Sequence, residues 1–202
     1  MSTEEHWDNT FKEGKDFTTL NEVFLDEVLA PHITEILKSE TKTALDVGCG
    51  TGDTVLKLMK RGFMVKGIDV SGEAVRIAKE RTSLDDNHIL VGNIDDGALN
   101  QFVGETYNLI TMKLVLAFMK DKKSVLCVLA KLLSKNGKLL IITPLIYPNV
   151  TYEKKRTIGI SVNEVELSQI LNEVFVSHEL IHKDFQDDNS VIGYYLCSNN
   201  AS

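Results

Sequence analysis

The sequence has few cysteines, and their arrangement excludes two kinds of small stabilised domain. Cys49, Cys127 and Cys197 are the three cysteines among 202 residues, and they lie far apart. They are too few and too scattered for a disulfide framework or a C-x-x-C zinc site. We therefore expect reduced, buried thiols, a cytoplasmic location and no bound metal.

The sequence also lacks an excess of positive charge. Its 22 Lys and Arg residues are outnumbered by 29 Asp and Glu residues, which leaves a net charge of -7. Proteins that coat nucleic acid or anionic membranes rely on Lys and Arg against phosphate, so neither is an expected partner. A protein with this net negative charge accommodates a cationic or neutral small-molecule substrate more easily than an anionic polymer. The oligomeric state is left open.

Long apolar runs are missing as well. No run approaches the ~20 apolar residues of a membrane span, and there is no secretory h-region, so we expect neither export nor membrane insertion. No internal repeat or low-complexity linker is present. A composition of 43% hydrophobic and 25% charged residues is typical of one soluble globular domain.

A glycine-rich stretch is the most informative part of the chain. In residues 43–53, TALDVGCGTGD, a short aliphatic run ends in Asp46 and is followed by glycine at every second position, Gly48, Gly50 and Gly52. Such a turn favours residues without Cβ, and the helical apolar spacing of residues 54–61 follows it. Strand, glycine turn and helix together predict the start of a nucleotide-binding α/β unit.

The acidic residues around this turn argue against a dinucleotide. Dinucleotide enzymes bring a pyrophosphate to the helix N-terminus, where Asp46 and Asp53 would repel it. The spacing is also G-x-G-x-G and not G-x-G-x-x-G. A ligand with a cationic end, an adenosine end and no phosphate fits better, and S-adenosylmethionine, with its ammonium and sulfonium groups, is such a molecule.

Residues 45–52 resemble the first motif of the class I S-adenosylmethionine-dependent methyltransferases, small-molecule type. The resemblance runs from about Ala44 to Pro144 and is most specific over residues 46–71. It implies that the first acidic residue and the glycine turn hold the methionine part of the cofactor, by way of Asp46, Gly48, Cys49, Gly50 and Asp53. It also implies that Asp69, followed by Val70, binds the ribose hydroxyls at the end of the second strand.

The resemblance extends to two later loops. It implies that Asn93, Ile94 and Asp95 contact adenine, although a solvated acidic loop is the alternative. Lys113 ends the fourth strand, at the sheet edge where α/β ligands bind, and is predicted to line the cleft or to be a solvated lysine. The Pro-Pro-aromatic motif of enzymes that methylate flipped bases is missing after this strand, which disfavours that substrate class.

Two segments are candidates for contacts with the methyl acceptor. Residues 1–40 are predicted to form an arm and helices that cap the cofactor-binding domain of residues 41–202. Trp7 and Lys15 would then lie near the ligand, unless the arm packs its aromatic rings on the core. After Pro144 the apolar periodicity that predicts helices and strands is lost, which indicates a loop. Binding and catalytic residues often lie on such loops. Candidates there are Tyr147 and Tyr152, with a basic surface loop as the alternative.

The predicted fold is a Rossmann-like, doubly wound α/β domain with a seven-stranded, mainly parallel sheet and an antiparallel terminal hairpin. The helices are expected over residues 21–29, 31–38, 54–61, 71–81, 124–134 and 161–174, the last opened by a capping box at Ser161. His178 and His182 lie on the hairpin, roughly 13 Å apart along an extended strand and too far for one metal. We interpret both as surface residues.

The predicted reaction transfers a methyl group from S-adenosylmethionine to an oxygen, nitrogen or sulfur of a small molecule and leaves S-adenosylhomocysteine. Catalysis would come chiefly from holding donor and acceptor in line, with a general base needed only if the acceptor must lose a proton. No catalytic residue is assigned. The alternatives are a protein or nucleic-acid methyltransferase, or a non-catalytic S-adenosylmethionine-binding regulator.

Overall fold

A computed structural model describes residues 2–15, 21–148, 150–151, 160–185 and 191–200. One mixed sheet runs through it, and its strands are β1 Thr43–Val47, β2 Met64–Asp69, β3 Ile89–Val91, β4 Tyr107–Lys113, β5 Leu133–Ile146, β6 Val162–Asn163, β7 Ser177–Phe185 and β8 Val191–Ser198. The strand order is β3-β2-β1-β4-β5-β8-β7, and the two-residue β6 pairs with the end of β5.

The strand directions confirm the predicted fold class. Strands β1 to β5 are parallel, whereas β8 is antiparallel to both β5 and β7 and forms the terminal hairpin. The seven strands of the main path match the expectation, and β6 is an addition. Because the first five strands are parallel, their carboxyl ends meet at one edge of the sheet, where ligands of such folds bind.

The helices are α1 Thr3–Lys12, α2 Thr34–Lys38, α3 Asp53–Lys60, α4 Gly72–Thr82, α5 Lys122–Lys131 and α6 Glu164–Val174. A π-helical turn, Phe24–Leu29, and a 3-10 turn, Ala30–Ile33, precede α2. Pro31 has no N–H to donate, so the two predicted N-terminal helices do not form one regular α-helix. None of the described helices is long and apolar enough to cross a membrane.

Two predicted helix boundaries are wrong, and in both cases strand pairing is the cause. Helix α5 ends at Lys131 and not at residue 134, because Leu133 pairs with Tyr107 and begins β5. Helix α6 is capped by Asn163, whose side chain accepts from two backbone N–H groups, and not by Ser161. Residues 162–163 are drawn into β6, so the capping position moves beyond them.

The sheet has an apolar core on each face. On one face, hereafter the α3 side, buried residues of α3, α4 and the N-terminal turns pack on the sheet, among them Val55, Val75 and Leu29. On the other, the α5 side, residues of α5 and α6 such as Leu126 and Leu167 do the same. A sheet covered on both faces explains why its central strands are almost wholly apolar.

Candidate functional site

The turn between β1 and α3 requires glycine at its first position. Gly48 has a φ of +73°, and a Cβ placed there would lie 2.1 Å from Cγ2 of Val115. The backbone N–H groups of Gly48 and Cys49 donate to the Ile68 carbonyl at 2.8 and 3.0 Å. These bonds fix the turn to β2. The result is a rigid turn whose backbone a ligand can approach closely.

Asp69 ends β2 beside this turn and is only 8% exposed. Its Oδ2 accepts a hydrogen bond from Gly50 N at 2.8 Å and its Oδ1 accepts one from Ser71 N at 2.9 Å. Burial raises the pKa of Asp69, while these backbone N–H groups favour its charged form. A carboxylate offers about four acceptor sites, so Asp69 keeps acceptor capacity for a hydroxyl group. Val70, the next residue, is half-buried.

Asp46, at the end of β1, is almost completely enclosed and 2% exposed. Thr111 Oγ1 on β4 donates to its Oδ1 at 2.6 Å. Burial raises the pKa of Asp46 to about 6, although the Thr111 hydroxyl and the positive charge of Lys113 both act to lower it. A buried carboxylate that accepts one hydroxyl hydrogen bond has acceptor capacity left and is suited to receive a cation.

Two other predicted residues have side chains that contact neighbouring groups of the protein. Asp53 Oδ2 lies 2.8 Å from Lys57 Nζ, and Arg81 approaches its other oxygen at 4.0 Å. The Cys49 thiol is buried against β2, where a Cβ on Gly67 would lie 3.0 Å from its Sγ. Burial raises the pKa of Cys49, so this thiol stays protonated. Cys49 therefore contributes to the turn through its backbone.

The loop after β3 is held by its own hydrogen bonds. Asn93 Oδ1 accepts from Asp95 N at 3.1 Å, and its amide donates to Asp96 Oδ2 at 2.8 Å. Asp95 Oδ1 accepts from Lys120 N at 3.1 Å, which ties the loop to the segment after β4. Ile94 is buried in the α5-side core. The loop is thus ordered at the carboxyl edge, and its contact with adenine stays a prediction.

Helix α1 is anchored to the turn region by a carboxylate. Asp8 Oδ1 accepts from Ser71 Oγ at 2.6 Å and from Glu73 N at 3.1 Å. The Ser71 hydrogen bond is the largest contribution that lowers the pKa of Asp8. Because Ser71 N donates to Asp69 and Gly50 N donates to the same carboxylate, hydrogen bonds run from α1 to the glycine turn.

Two aromatic side chains of α1 pack against elements at the carboxyl edge. The Phe11 ring comes within 3.6 Å of the Cβ position of Gly50 and is 7% exposed. The Trp7 ring meets Phe118, in the segment after β4, edge-on at a centroid distance of 5.2 Å. The N-terminal arm therefore covers both the glycine turn and the loop after β4.

The other proposed acceptor contacts are less clearly placed. Lys15 is exposed and its Nζ lies 2.6 Å from Glu13. Tyr147 is half-buried just beyond β5, and Lys183 Nζ lies 5.8 Å from the centre of its ring. Tyr152 lies outside the described residues. Tyr147 therefore lies at the carboxyl edge, whereas the Lys15 ammonium pairs with the exposed carboxylate of Glu13.

Sequence reasoning missed two residues of this site. Asp8 anchors α1 although nothing in its local pattern distinguishes it from other surface acids. Thr111 reaches Asp46 because the two are partners in the β1–β4 register, which a single sequence does not reveal. Within the described residues, no cluster of three or more His, Cys, Asp or Glu side chains could hold a metal ion.

A family model described as a methyltransferase domain matches residues 38–190. The ubiquinone biosynthesis O-methyltransferase of Nitrosomonas europaea is 30% identical over 133 residues, which are 65% of this chain and 54% of that protein. The demethylmenaquinone methyltransferase of Tropheryma whipplei is 30% identical over 97 residues, or 48% of this chain and 39% of that protein. The chain thus spans about half or less of the length of these relatives.

Solved structures share the architecture. The plantazolicin methyltransferase BpumL, in complex with a pentazolic desmethylPZN analog and SAH, gives a TM-score of 0.68 at 15% identity and covers 97% of this chain and 91% of its own. A TehB-like SAM-dependent methyltransferase from Corynebacterium glutamicum gives 0.58 at 17% identity, with 95% and 94% covered. At such low identity the likeness concerns the fold alone.

Proposed function

The chain belongs to the class I S-adenosylmethionine-dependent methyltransferases, and from this premise we propose that it transfers a methyl group from S-adenosylmethionine to an oxygen, nitrogen or sulfur of a small molecule. The observation that carries the proposal is the pair of buried carboxylates, Asp46 and Asp69, on either side of a glycine turn. A phosphate would be repelled there, whereas an ammonium and a ribose would each meet a carboxylate.

The residues at the carboxyl edge fit this cofactor chemically. Asp46 and the backbone of residues 48–50 would hold the methionine part, with Asp53 adding negative potential at the start of α3. Asp69 and Val70 would hold the ribose, because Asp69 keeps lone pairs beyond its two backbone donors. Further cofactor contacts are assigned to Asn93, Ile94, Asp95 and Lys113. When bound, the cofactor supplies an electrophilic methyl group on its sulfonium.

The protein's part in catalysis is to position the partners and exclude water. A rigid turn and an enclosed Asp46 fix the donor end, and orientation alone can accelerate such a transfer by many orders of magnitude. We assign residues 1–40 the role of a cap, with Trp7 over the cleft, because α1 already packs on the glycine turn. Closure of such a cap removes water that competes with positioned dipoles.

The acceptor is proposed to be a small molecule of the cytoplasm. A net charge of -7 disfavours a polyanion, and two of the relatives are named as a ubiquinone biosynthesis O-methyltransferase and a demethylmenaquinone methyltransferase. Free cysteines are in keeping with a reducing compartment. Tyr147, Tyr152 and Lys15 are kept as candidates for acceptor contacts.

Calorimetry with S-adenosylmethionine, S-adenosylhomocysteine and NAD tests the proposal. We expect binding of the first two and none of NAD. Asp69→Ala should weaken cofactor binding by about 2 to 4 kcal/mol, because a charged hydrogen-bond partner is removed from a buried site. Asp86→Ala, at a 92% exposed carboxylate, is the matched control and should change nothing. Binding of NAD alone, or equal affinity of both variants, would contradict the proposal.

A further inference from the structure

A cavity lies at the amino edge of the sheet, opposite the edge that carries the glycine turn. It is lined by Lys42 and Phe63, which immediately precede β1 and β2. The N-terminal turns and the end of α3 enclose it on the α3 side. Its volume is about 240 Å³. An apolar cavity of about 150 Å³ already admits benzene, so this one has room for a small molecule.

The walls of this cavity are apolar. Leu25, Leu29 and Ile33 recur at intervals of four residues along the N-terminal turns and form one wall. Leu58 of α3 and Phe63 form another. All five side chains are 5% exposed or less, so they border the cavity and not bulk solvent. Such walls suit an alkyl chain, which gains by leaving water.

One wall has an unusual backbone geometry. Residues Phe24–Leu29 form a π-helical turn, in which Ala30 N donates to the Leu25 carbonyl five residues earlier. Turns of this kind are rare, and those that occur are frequently found at functional sites. The position of this turn on the cavity wall is a second indication of a binding site.

The charged lining residues lie at the mouth of the cavity, because Asp26 is exposed and Lys42 and Arg61 are half-buried. The Arg61 guanidinium donates to Asp26 Oδ1 at 2.7 Å and to Glu22 Oε2 at 2.5 Å. Two carboxylates therefore compensate the charge of Arg61. The mouth is left with the ammonium group of Lys42.

The Lys42 ammonium is only partly satisfied by the protein. Its Nζ donates to the carbonyls of Leu37 at 3.1 Å and Arg61 at 3.3 Å, at the ends of α2 and α3. An ammonium has three donors, so one is left for a ligand. Within the described part of the chain, Lys42 forms no ion pair with a carboxylate. A lysine withdrawn from water is usually paired, so an anionic group is the expected partner.

The charges at the mouth also select the kind of anion. Lys42 supplies a single positive charge, and the Asp26 carboxylate at the same mouth repels additional negative charge. A phosphate monoester carries close to two negative charges at neutral pH, whereas a carboxylate carries one. A monocarboxylate is therefore the better match.

We propose that this cavity binds a short alkyl monocarboxylate, with the chain between the apolar walls and the carboxylate accepting a hydrogen bond from Lys42 Nζ. The site goes beyond the proposed function and does not depend on it. Helix α3, eight residues and so about 12 Å long, separates the cavity from the glycine turn. The ligand and the cofactor would thus bind at opposite ends of one helix.

The test uses the full chain with labelled leucine and isoleucine methyl groups, titrated with hexanoate or with 1-hexanol. Hexanol has an alkyl chain of the same length and no charge. Methyl resonances of Leu25, Leu29 and Ile33 should shift with both probes in NMR spectra. Hexanoate should bind about tenfold more tightly, because its hydrogen bond to Lys42 is charge-assisted.

Lys42→Gln tests the anion contact. The amide keeps two donors for the carbonyls of Leu37 and Arg61 but removes the charge, so the preference for hexanoate over hexanol should vanish. Lys38→Gln is the matched control, because Lys38 is 69% exposed and paired with Glu35, and it should keep the preference. Equal losses in the two variants would show a general effect of charge and would overturn the inference.

Ala30→Leu tests the cavity independently of Lys42. Ala30 lines the cavity, so a larger side chain there should fill it, raise the melting temperature and abolish hexanoate binding. Val23→Leu, at a 60% exposed position of the same segment, is the control and should leave binding unchanged. Undiminished hexanoate binding by Ala30→Leu would overturn the inference, whether or not Lys42→Gln folds.

The wild-type titrations decide the remaining cases. If hexanoate shifts none of the cavity methyl groups, or if hexanoate and hexanol bind equally, the inference is overturned. Shifts confined to residues around the glycine turn would place hexanoate at the carboxyl edge and would also overturn it. Binding of S-adenosylhomocysteine is measured separately, so failure of this inference leaves the proposed function standing.

Discussion

The two ends of the carboxyl edge are built in different ways. The glycine-turn end, from Asp46 to Asp69, is local: its carboxylates, turn and helix lie within one β1–α3–β2 unit and are tied by backbone hydrogen bonds. The hairpin end brings Phe24 from the N-terminus to His182 and Tyr194 near the C-terminus, joined by side chains and set by a bulge. The local unit is suited to bind an invariant cofactor, whereas the hairpin end is held together by packing between distant segments of the chain.

The largest effect should come from breaking the glycine turn. Gly48→Ala would drive a Cβ into Val115 and hold a non-glycine residue at positive φ, so we expect a loss of about 2 to 5 kcal/mol in the free energy of unfolding. Thermal and urea unfolding measure it. Gly72→Ala is the control, because a Cβ there meets nothing within 4 Å.

The double variant Gly48→Ala with Val115→Ala sharpens the result. It should recover the part of the loss that comes from overpacking and leave the part that comes from backbone strain. Equal stability of Gly48→Ala and Gly72→Ala would contradict the assigned turn geometry.

A second prediction concerns the cost of burying Asp46. Its folded pKa of about 6 lies above the ordinary aspartic acid value of 3.8, so the folded state holds this proton more tightly and stability falls as pH rises from about 4 to 6. Above that range the ionised group lowers the free energy of unfolding by up to about 3 kcal/mol. Asp46→Asn should therefore be more stable than the wild type at pH 7, in line with this cost, and equal to it near pH 4.

The same variant should bind the cofactor more weakly, because the carboxylate that we propose to face its ammonium group is gone. Unfolding curves across pH and calorimetry at pH 7 measure the two effects. A wild-type stability independent of pH between 4 and 6 would contradict the prediction.

The smallest effect should come from the anchor of α1. Asp8→Ala removes the acceptor for Ser71 Oγ and Glu73 N, and we expect cofactor affinity to fall by about 1 kcal/mol if docking of α1 supports binding. Asn9→Ala, on an exposed position of the same helix, is the control. Calorimetry with S-adenosylhomocysteine measures both. Equal affinities would assign α1 to packing alone.

The same contrast explains what the sequence could predict. Asp46, the glycines and Asp69 are visible because turn chemistry and strand ends are local properties, and most of the sheet follows from apolar runs. The end of α5 and the cap of α6 were misplaced because strand pairing overrode helix signals. The bulge at Ile181, between the Leu180–Tyr195 and His182–Tyr194 pairs of β7 and β8, could not be predicted, because nothing in the sequence marks an extra residue there.

Ser71 couples the docking of α1 to ligand binding at Asp69, because it is hydrogen-bonded to both. Its hydroxyl is bonded to Asp8 of α1, and its N–H to Asp69, which in turn holds Gly50. A change in the strength of the Ser71–Asp8 hydrogen bond therefore affects the Ser71–Asp69 hydrogen bond, and the reverse also holds. By thermodynamic reciprocity, the factor by which docked α1 tightens a ligand at Asp69 equals the factor by which that ligand tightens the docking of α1.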